Sequence, residues 1–186
     1  MSKVYIFLAD GFEEIEGLTV VDILRRAGIE IKMVSITDSI YVTGSHQIMV
    51  KADLLFQDVN YHDADLLVLP GGMPGTDHLM EHEGLDVLLR EFHDKGKQLA
   101  AICAAPIVLG TKGILNGKKA TCYPGHEEKL LGADIDKNAV VVNDGTVTTS
   151  RGMGTAIDFS LALIKQFQGE DQAKQMAGKI QFPYYC

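Results

Sequence analysis

Cys103 is the residue best placed for chemistry. It stands in Leu99-Ala100-Ala101-Ile102-Cys103-Ala104-Ala105-Pro106, where an apolar run that reads as a buried strand gives way at once to a helix start. Pro106 takes an early helical position, where its missing N–H costs nothing. The small residues Ala101 and Ala105, two positions to either side of the thiol, have the spacing of the Gly-x-Ser-x-Gly nucleophile elbow, a tight strand-to-helix turn that exposes a nucleophile and tolerates no bulk nearby. A thiol at the positive end of a helix is expected to have a lowered pKa and a larger thiolate fraction. The competing reading is a buried structural cysteine. Cys122 closes a strand before Tyr123-Pro124-Gly125 and Cys186 is the last residue, so neither shares the elbow context.

Three carboxylates, Glu13, Glu14 and Glu16, follow the first apolar run. In the first turn of a helix they favour its dipole and read as a solvated cluster. One turned inward would be desolvated, would hold its proton at higher pH, and would become a hydrogen-bond donor and general acid or base. Spacing alone does not choose among the three. The turn Pro70-Gly71-Gly72-Met73-Pro74-Gly75 lets backbone N–H groups approach an oxyanion, or is a simple tight turn, and it lacks the spacing and lysine of a phosphate loop. Gly152-Met153-Gly154 has Ile157 where a dinucleotide fingerprint needs its third glycine. His78 and His82 have helix spacing beside Glu81 and Glu83 but not the His-Glu-x-x-His order, so a solvated polar face is expected there rather than a metal site. His126, after Tyr123-Pro124-Gly125, and His46, in a hairpin turn, are possible partners for a thiol.

The elements that must position these groups alternate. Val4 to Leu8 reads as a strand, Ile15 to Ala27 as a helix stopped at Gly28, and Ile29 to Ile36 as a second strand. Tyr41 to Thr43 and Ile48 to Val50 read as a small inserted hairpin. The continuous apolar runs Leu66 to Leu69 and Leu99 to Ile102 read as strands buried on both faces, as in a parallel sheet. Gly84 to Lys95 and a helix from Ile107 accompany them, followed by strands Ala120 to Tyr123, Val140 to Val142 and Thr146 to Thr149 and helices Thr155 to Phe167 and Glu170 to Ile180. This predicts a doubly wound α/β sandwich with a mostly parallel sheet, in which a ligand site lies beyond the carboxyl ends of the strands. The three turns singled out above, after Leu8, Leu69 and Ile102, all fall there.

The 186 residues suit one domain, and 25 acidic against 17 basic residues, a formal charge of -8, argue against a general electrostatic grip on nucleic acid or anionic membrane. No apolar stretch approaches membrane-spanning length, the N-terminal run meets Asp10 at once without a cleavage site, and three cysteines suit a reducing compartment. A cytoplasmic protein with free thiols and a small-molecule partner is expected.

Five segments together resemble the ThiJ/PfpI superfamily, in the branch of the Parkinson-associated DJ-one protein and its bacterial relatives. They are Ala9 to Glu16, Val21 to Gly28, Val68 to Gly72, Ala101 to Pro106, and Thr149-Ser150-Arg151-Gly152. The resemblance covers nearly the whole chain and implies one flavodoxin-like domain over residues 1–186, of the class I glutamine amidotransferase-like kind. It implies that Cys103 is the elbow nucleophile, that Glu16 is the protonated carboxyl bonded to it, and that Gly72 and Ala104 supply backbone donors for an oxyanion. Homodimers with the cysteine close to the interface are implied, with Asp22 an interface acid, Arg151 on the dimer or supporting side, and His46 where relatives bring an arginine across from the partner subunit. Two departures stand out: Tyr123 occupies the position of a histidine near the cysteine, leaving His126 as a possible substitute, and Met153 replaces a proline. The activity implied is that of a glyoxalase or deglycase on methylglyoxal-like dicarbonyls or their early adducts, requiring no metal or organic cofactor. The alternative is a redox-sensing or chaperone-like stress protein that signals through oxidation of Cys103.

Overall fold

The computed structural model describes residues 2–185, so Cys186 lies outside the described residues. In chain order the elements are β1 (Lys3–Leu8), α1 (Glu14–Arg26), β2 (Glu30–Ser35), β3 (Tyr41–Thr43), β4 (Met49–Lys51), β5 (Leu54–Leu55), β6 (Leu66–Leu69), α2 (Gly75–Glu81) and α3 (Glu83–Asp94). These are followed by β7 (Gln98–Ile102), α4 (Pro106–Thr111), β8 (Lys119–Ala120), β9 (Asp134–Ile135), β10 (Val141–Asp144), β11 (Val147–Ser150), α5 (Ala156–Gln168) and α6 (Glu170–Lys179).

Seven strands form the central sheet in the order β10-β11-β7-β6-β1-β2-β5. Every neighbouring pair in it is parallel except β10 with β11. The chain is thus a single flavodoxin-like α/β domain, and the expected alternation of strand and helix breaks over β2 to β6 and over β8 to β11, where strands follow one another without an intervening α-helix. β1 explains why a continuous apolar run belongs in such a sheet. Its alternate residues Val4, Ile6 and Leu8 pack with Phe12, Leu24 and Phe159 on one face. Tyr5, Phe7 and Ala9 pack with Leu89, Phe92 and Leu99 on the other. Each large apolar side chain so buried contributes about 1.5–3 kcal/mol. Strand order reverses between β1 and β6, and such a reversal opens a crevice at the carboxyl ends of the two strands.

The structure revises several expected elements. The strand expected over 120–123 stops at Ala120, because the Thr121 N–H donates to the Thr149 side chain (2.9 Å) instead of a ladder partner. β8 pairs with the unexpected β9 in a separate two-stranded sheet. α2 and β5 were also unforeseen. His82, expected on a solvated face, instead accepts the Leu85 N–H at 3.0 Å as the N-cap of α3, and its ring packs 4.5 Å from that of Phe56. No helix among the described residues is long and apolar enough to cross a membrane.

Candidate active site

The turns after β1, β6 and β7 converge. Cys103 follows β7 with φ +65°, in the left-handed region that a non-glycine side chain adopts only under constraint, at a cost of about 1–3 kcal/mol. The constraint is visible on both sides. The Cys103 N–H donates to the Ser150 carbonyl (3.0 Å), and the Cys103 carbonyl accepts from the Tyr123 N–H (2.8 Å). This is the strained strand-to-helix turn of a nucleophile elbow, and it leaves the thiol partly exposed.

Glu16, in the first turn of α1, is fully buried. Its Oε2 accepts the Gly71 N–H at 2.9 Å, its carboxyl hydrogen-bonds the Cys103 thiol, and its Oε1 is buried without a nitrogen or oxygen partner. Burial raises its pKa to about 7, against the opposing influence of the thiol and the Gly71 N–H and with a small push from Glu13. The contact needs glycine at position 71. A Cβ there would stand 2.6 Å from Cys103 Cβ and 2.7 Å from Glu16 Oε2. Gly72 turns the chain at φ +93°, and with Ala104 it directs a backbone N–H at the sulfur.

The thiol departs from the expectation of a lowered pKa. Burial, then the charge and hydrogen bond of Glu16, push it up to about 12, and the Ala104 and Gly72 N–H groups offset this only in part. α4 has six residues and so brings a small dipole to the thiol. The two groups titrate as a pair: near neutral pH the carboxyl gives up its proton first, and its charge then helps the thiol to keep its own.

The other expected site residues fall elsewhere. His46 is exposed, with Nδ1 3.0 Å from Glu14 Oε2 and 3.6 Å from Glu13 Oε2. Glu14, expected to be solvated, is buried. Its Oε1 accepts the His46 (2.8 Å) and Ile48 (3.4 Å) N–H groups, clipping the β3–β4 hairpin to α1. Burial pushes Glu14 up, but its own N–H, the His46 side chain and the two hairpin N–H groups outweigh this, and its pKa falls. His46 is raised by the same contact. Asp22 pairs with Arg26 at 2.6 Å beside a surface groove of about 660 Å³ whose lining includes Ile15, Leu18 and Ile48 but not Cys103. Arg151 donates to the Lys137 carbonyl. The His126 ring lies 6.2 Å from that of Tyr123, whose N–H meets the Cys103 carbonyl. Sequence reasoning missed Gly71 as the donor to Glu16, although the Gly71-Gly72 pair signalled a close backbone approach.

Residues 2–166 match the DJ-1/PfpI family. The chain is 38% identical to Protein DJ-1 homolog B of Arabidopsis thaliana over 179 residues, 96% of this chain and 41% of that protein, and so spans less than half of that relative's length. It is 34% identical over 153 residues to a Pyrococcus abyssi protein named as a deglycase, covering 82% of this chain and 91% of that one. The solved structure of oxidized Toxoplasma gondii DJ-1 superposes with a TM-score of 0.94 at 36% identity, covering 99% of this chain and 100% of that one.

Proposed function

The chain belongs to the DJ-1/PfpI family, and we propose that it is a cysteine-dependent glyoxalase or deglycase acting on methylglyoxal-like dicarbonyls or on the early adducts they form with amines and thiols. The observation that carries this reading is the buried Glu16–Cys103 pair. A carboxyl with its pKa pushed up to about 7 gives and takes a proton at little cost at neutral pH. The Pyrococcus abyssi relative named as a deglycase supports the same class of reaction.

In the proposed reaction Glu16 accepts the thiol proton as sulfur bonds to the aldehyde carbon. The resulting alkoxide, within reach of the Gly72 and Ala104 N–H donors, recovers that proton as a hemithioacetal. Glu16 then removes the hydrogen on that carbon as a proton and delivers it to the neighbouring carbon, while the hydroxyl proton passes to the neighbouring oxygen, giving the thioester of a 2-hydroxy acid. Water cleaves the thioester, releases the acid and restores the thiol. One carbonyl carbon is oxidised and its neighbour reduced, so the net change is addition of one water and no outside oxidant enters. Purified chain is expected to convert methylglyoxal to lactate, and Cys103→Ser to lose that activity. Equal turnover by both would sink the reading.

The reading includes a homodimer. Ile15 and Ile48, 50% and 53% exposed, border the groove at α1 together with Leu18, Ile157 and Ile180, a surface that a second copy would cover. Light scattering at micromolar concentration is expected to give about twice the chain mass, and a monomer would remove His46 from any cross-subunit role. A cytoplasmic location and a role under carbonyl stress belong to the same proposal.

A second reading is favoured by the groups around the sulfur. The Gly72 and Ala104 N–H groups and the Glu16 carboxyl would hold a cysteine sulfinate, and the Toxoplasma gondii relative is described as oxidized. In that case limited peroxide adds two oxygens first at Cys103, while Cys103-dependent turnover is absent.

A further inference from the structure

The surface beside the Cys103 thiol is aromatic, and the chain holds that ring in place from several directions. The Tyr123 N–H donates to the Cys103 carbonyl at 2.8 Å and the Tyr123 carbonyl accepts the His126 N–H at 3.2 Å. Between them Gly125 turns at φ +95° with its N–H on the Glu127 carboxylate at 2.7 Å. The ring so placed is half exposed, 51%, and rests against Gly152. A methyl group added at Gly152 would stand 3.2 Å from Cδ2 and 3.7 Å from Cε2 of Tyr123, and 3.9 Å from the Cys103 sulfur. One point in space therefore touches both ring and sulfur. Gly152 itself is extended, φ 164°, a conformation open to any residue, so what glycine supplies there is room.

The His126 ring pairs with that of Tyr123, its plane tilted by 54° at 6.2 Å, within the range of aromatic pairs. Of the other residues at the sulfur, Gly71, Gly72, Ala104 and Gly152 present little or no side chain, and Glu16 presents its carboxyl. An acyl group joined to Cys103 thus has the Tyr123 ring as an apolar surface close at hand.

We propose that Tyr123, paired with His126, is a specificity-determining wall of this site and that it selects dicarbonyls or adducts carrying an aryl group beside the reacting carbonyl over those carrying a methyl group. The proposal rests on the reading of Cys103 as the nucleophile and names the substrate class for it. An aryl group stacked on the ring gains what an aromatic pair gains, and a methyl group does not.

The test compares phenylglyoxal with methylglyoxal in wild type, Tyr123→Phe and Tyr123→Ala. The ratio of kcat/KM for the two substrates is expected to stay unchanged in Tyr123→Phe and to fall about three- to tenfold in Tyr123→Ala, the size of one aromatic contact. The same preference is read without turnover, from the rates at which N-phenylmaleimide and N-methylmaleimide alkylate Cys103, each divided by its rate with free cysteine and localised by peptide mass spectrometry. A ratio that falls in the alanine variant by alkylation, with no turnover in any protein, keeps the aromatic wall and retires the glyoxalase reading. Equal ratios in wild type and Tyr123→Ala in the alkylation assay overturn the wall, whatever the turnover. Should Tyr123→Ala not fold, Tyr123→Leu keeps apolar bulk, removes the ring and decides the same question.

Discussion

Glu14 and Glu16 lie two residues apart in the first turn of α1, both buried, and the protein treats them in opposite ways. On the hairpin side, Glu14 meets the N–H groups of His46 and Ile48 and the His46 ring, and it is held as an anion below its ordinary pKa. On the thiol side, Glu16 meets one backbone N–H and a sulfur, keeps one oxygen without a nitrogen or oxygen partner, and is pushed up to about 7. Burial acts in the same direction on both. The number of donors that burial leaves decides the outcome, so one carboxylate becomes a structural clip and the other a carrier of protons.

The largest expected effect comes from removing the carrier. Glu16→Gln keeps the size and a donor but cannot exchange a proton, so turnover of a dicarbonyl is expected to fall about a hundredfold or more. Alkylation of Cys103 at neutral pH is expected to persist or quicken, because the charge that raises the thiol pKa is gone. Retention of near wild-type turnover would end the proton-shuttle role. The same variant tests the cost of holding this group. The Glu16 pKa is raised in the folded chain, so the stability linked to it is fully present below the ordinary value of 4.5 and is lost as pH rises through about 7. At pH 8 the buried charge costs about 3 kcal/mol. Glu16→Gln is therefore expected to melt several degrees above wild type at pH 8 and to show no such gain at pH 5, as calorimetry would record.

Smaller effects are expected from the clip. Glu14→Ala strands the His46 and Ile48 N–H groups and is expected to cost about 2–3 kcal/mol in urea unfolding, with turnover per folded molecule largely kept. Collapse of turnover there with unchanged stability would erase the division of labour. His46→Ala should matter least. Its pKa is raised by Glu14, so whatever stability it adds is present below its ordinary value of 6.5 and is lost as pH rises past the raised one. A slightly lowered melting temperature at pH 6 that disappears at pH 9 is the expected signature.

These two carboxylates also mark how far the sequence was legible. The buried strands β1, β6 and β7 could be read because an uninterrupted apolar run has few places to go other than the centre of a parallel sheet, and those strands put the three turns at one end. The elbow spacing around Cys103 was readable for the same local reason. The choice of Glu16 was not, because the helical period puts it on the side of Glu13 and away from Glu14 without saying which side meets the sheet. What separates them is Gly71, 55 residues further on, arriving with its N–H. β8 and β9, at two residues each, are too short for any period to register. α2 rises directly out of a proline-glycine turn with Leu79 as its large buried anchor, which leaves no stripe to see.

The ends of the sheet bear on how this chain behaves in a crowded solution. β5 offers two residues of edge, and at the other end the Asp144 side chain of β10 accepts the Lys119 N–H at 2.7 Å, which ties β8 beside that border. A neighbouring unfolded segment seeking to add itself as an extra strand finds a short template on one side and an interrupted one on the other. Short or partly covered edges of this kind give a second chain little backbone on which to add a strand, which matters most for a sheet whose inner strands are as apolar as these.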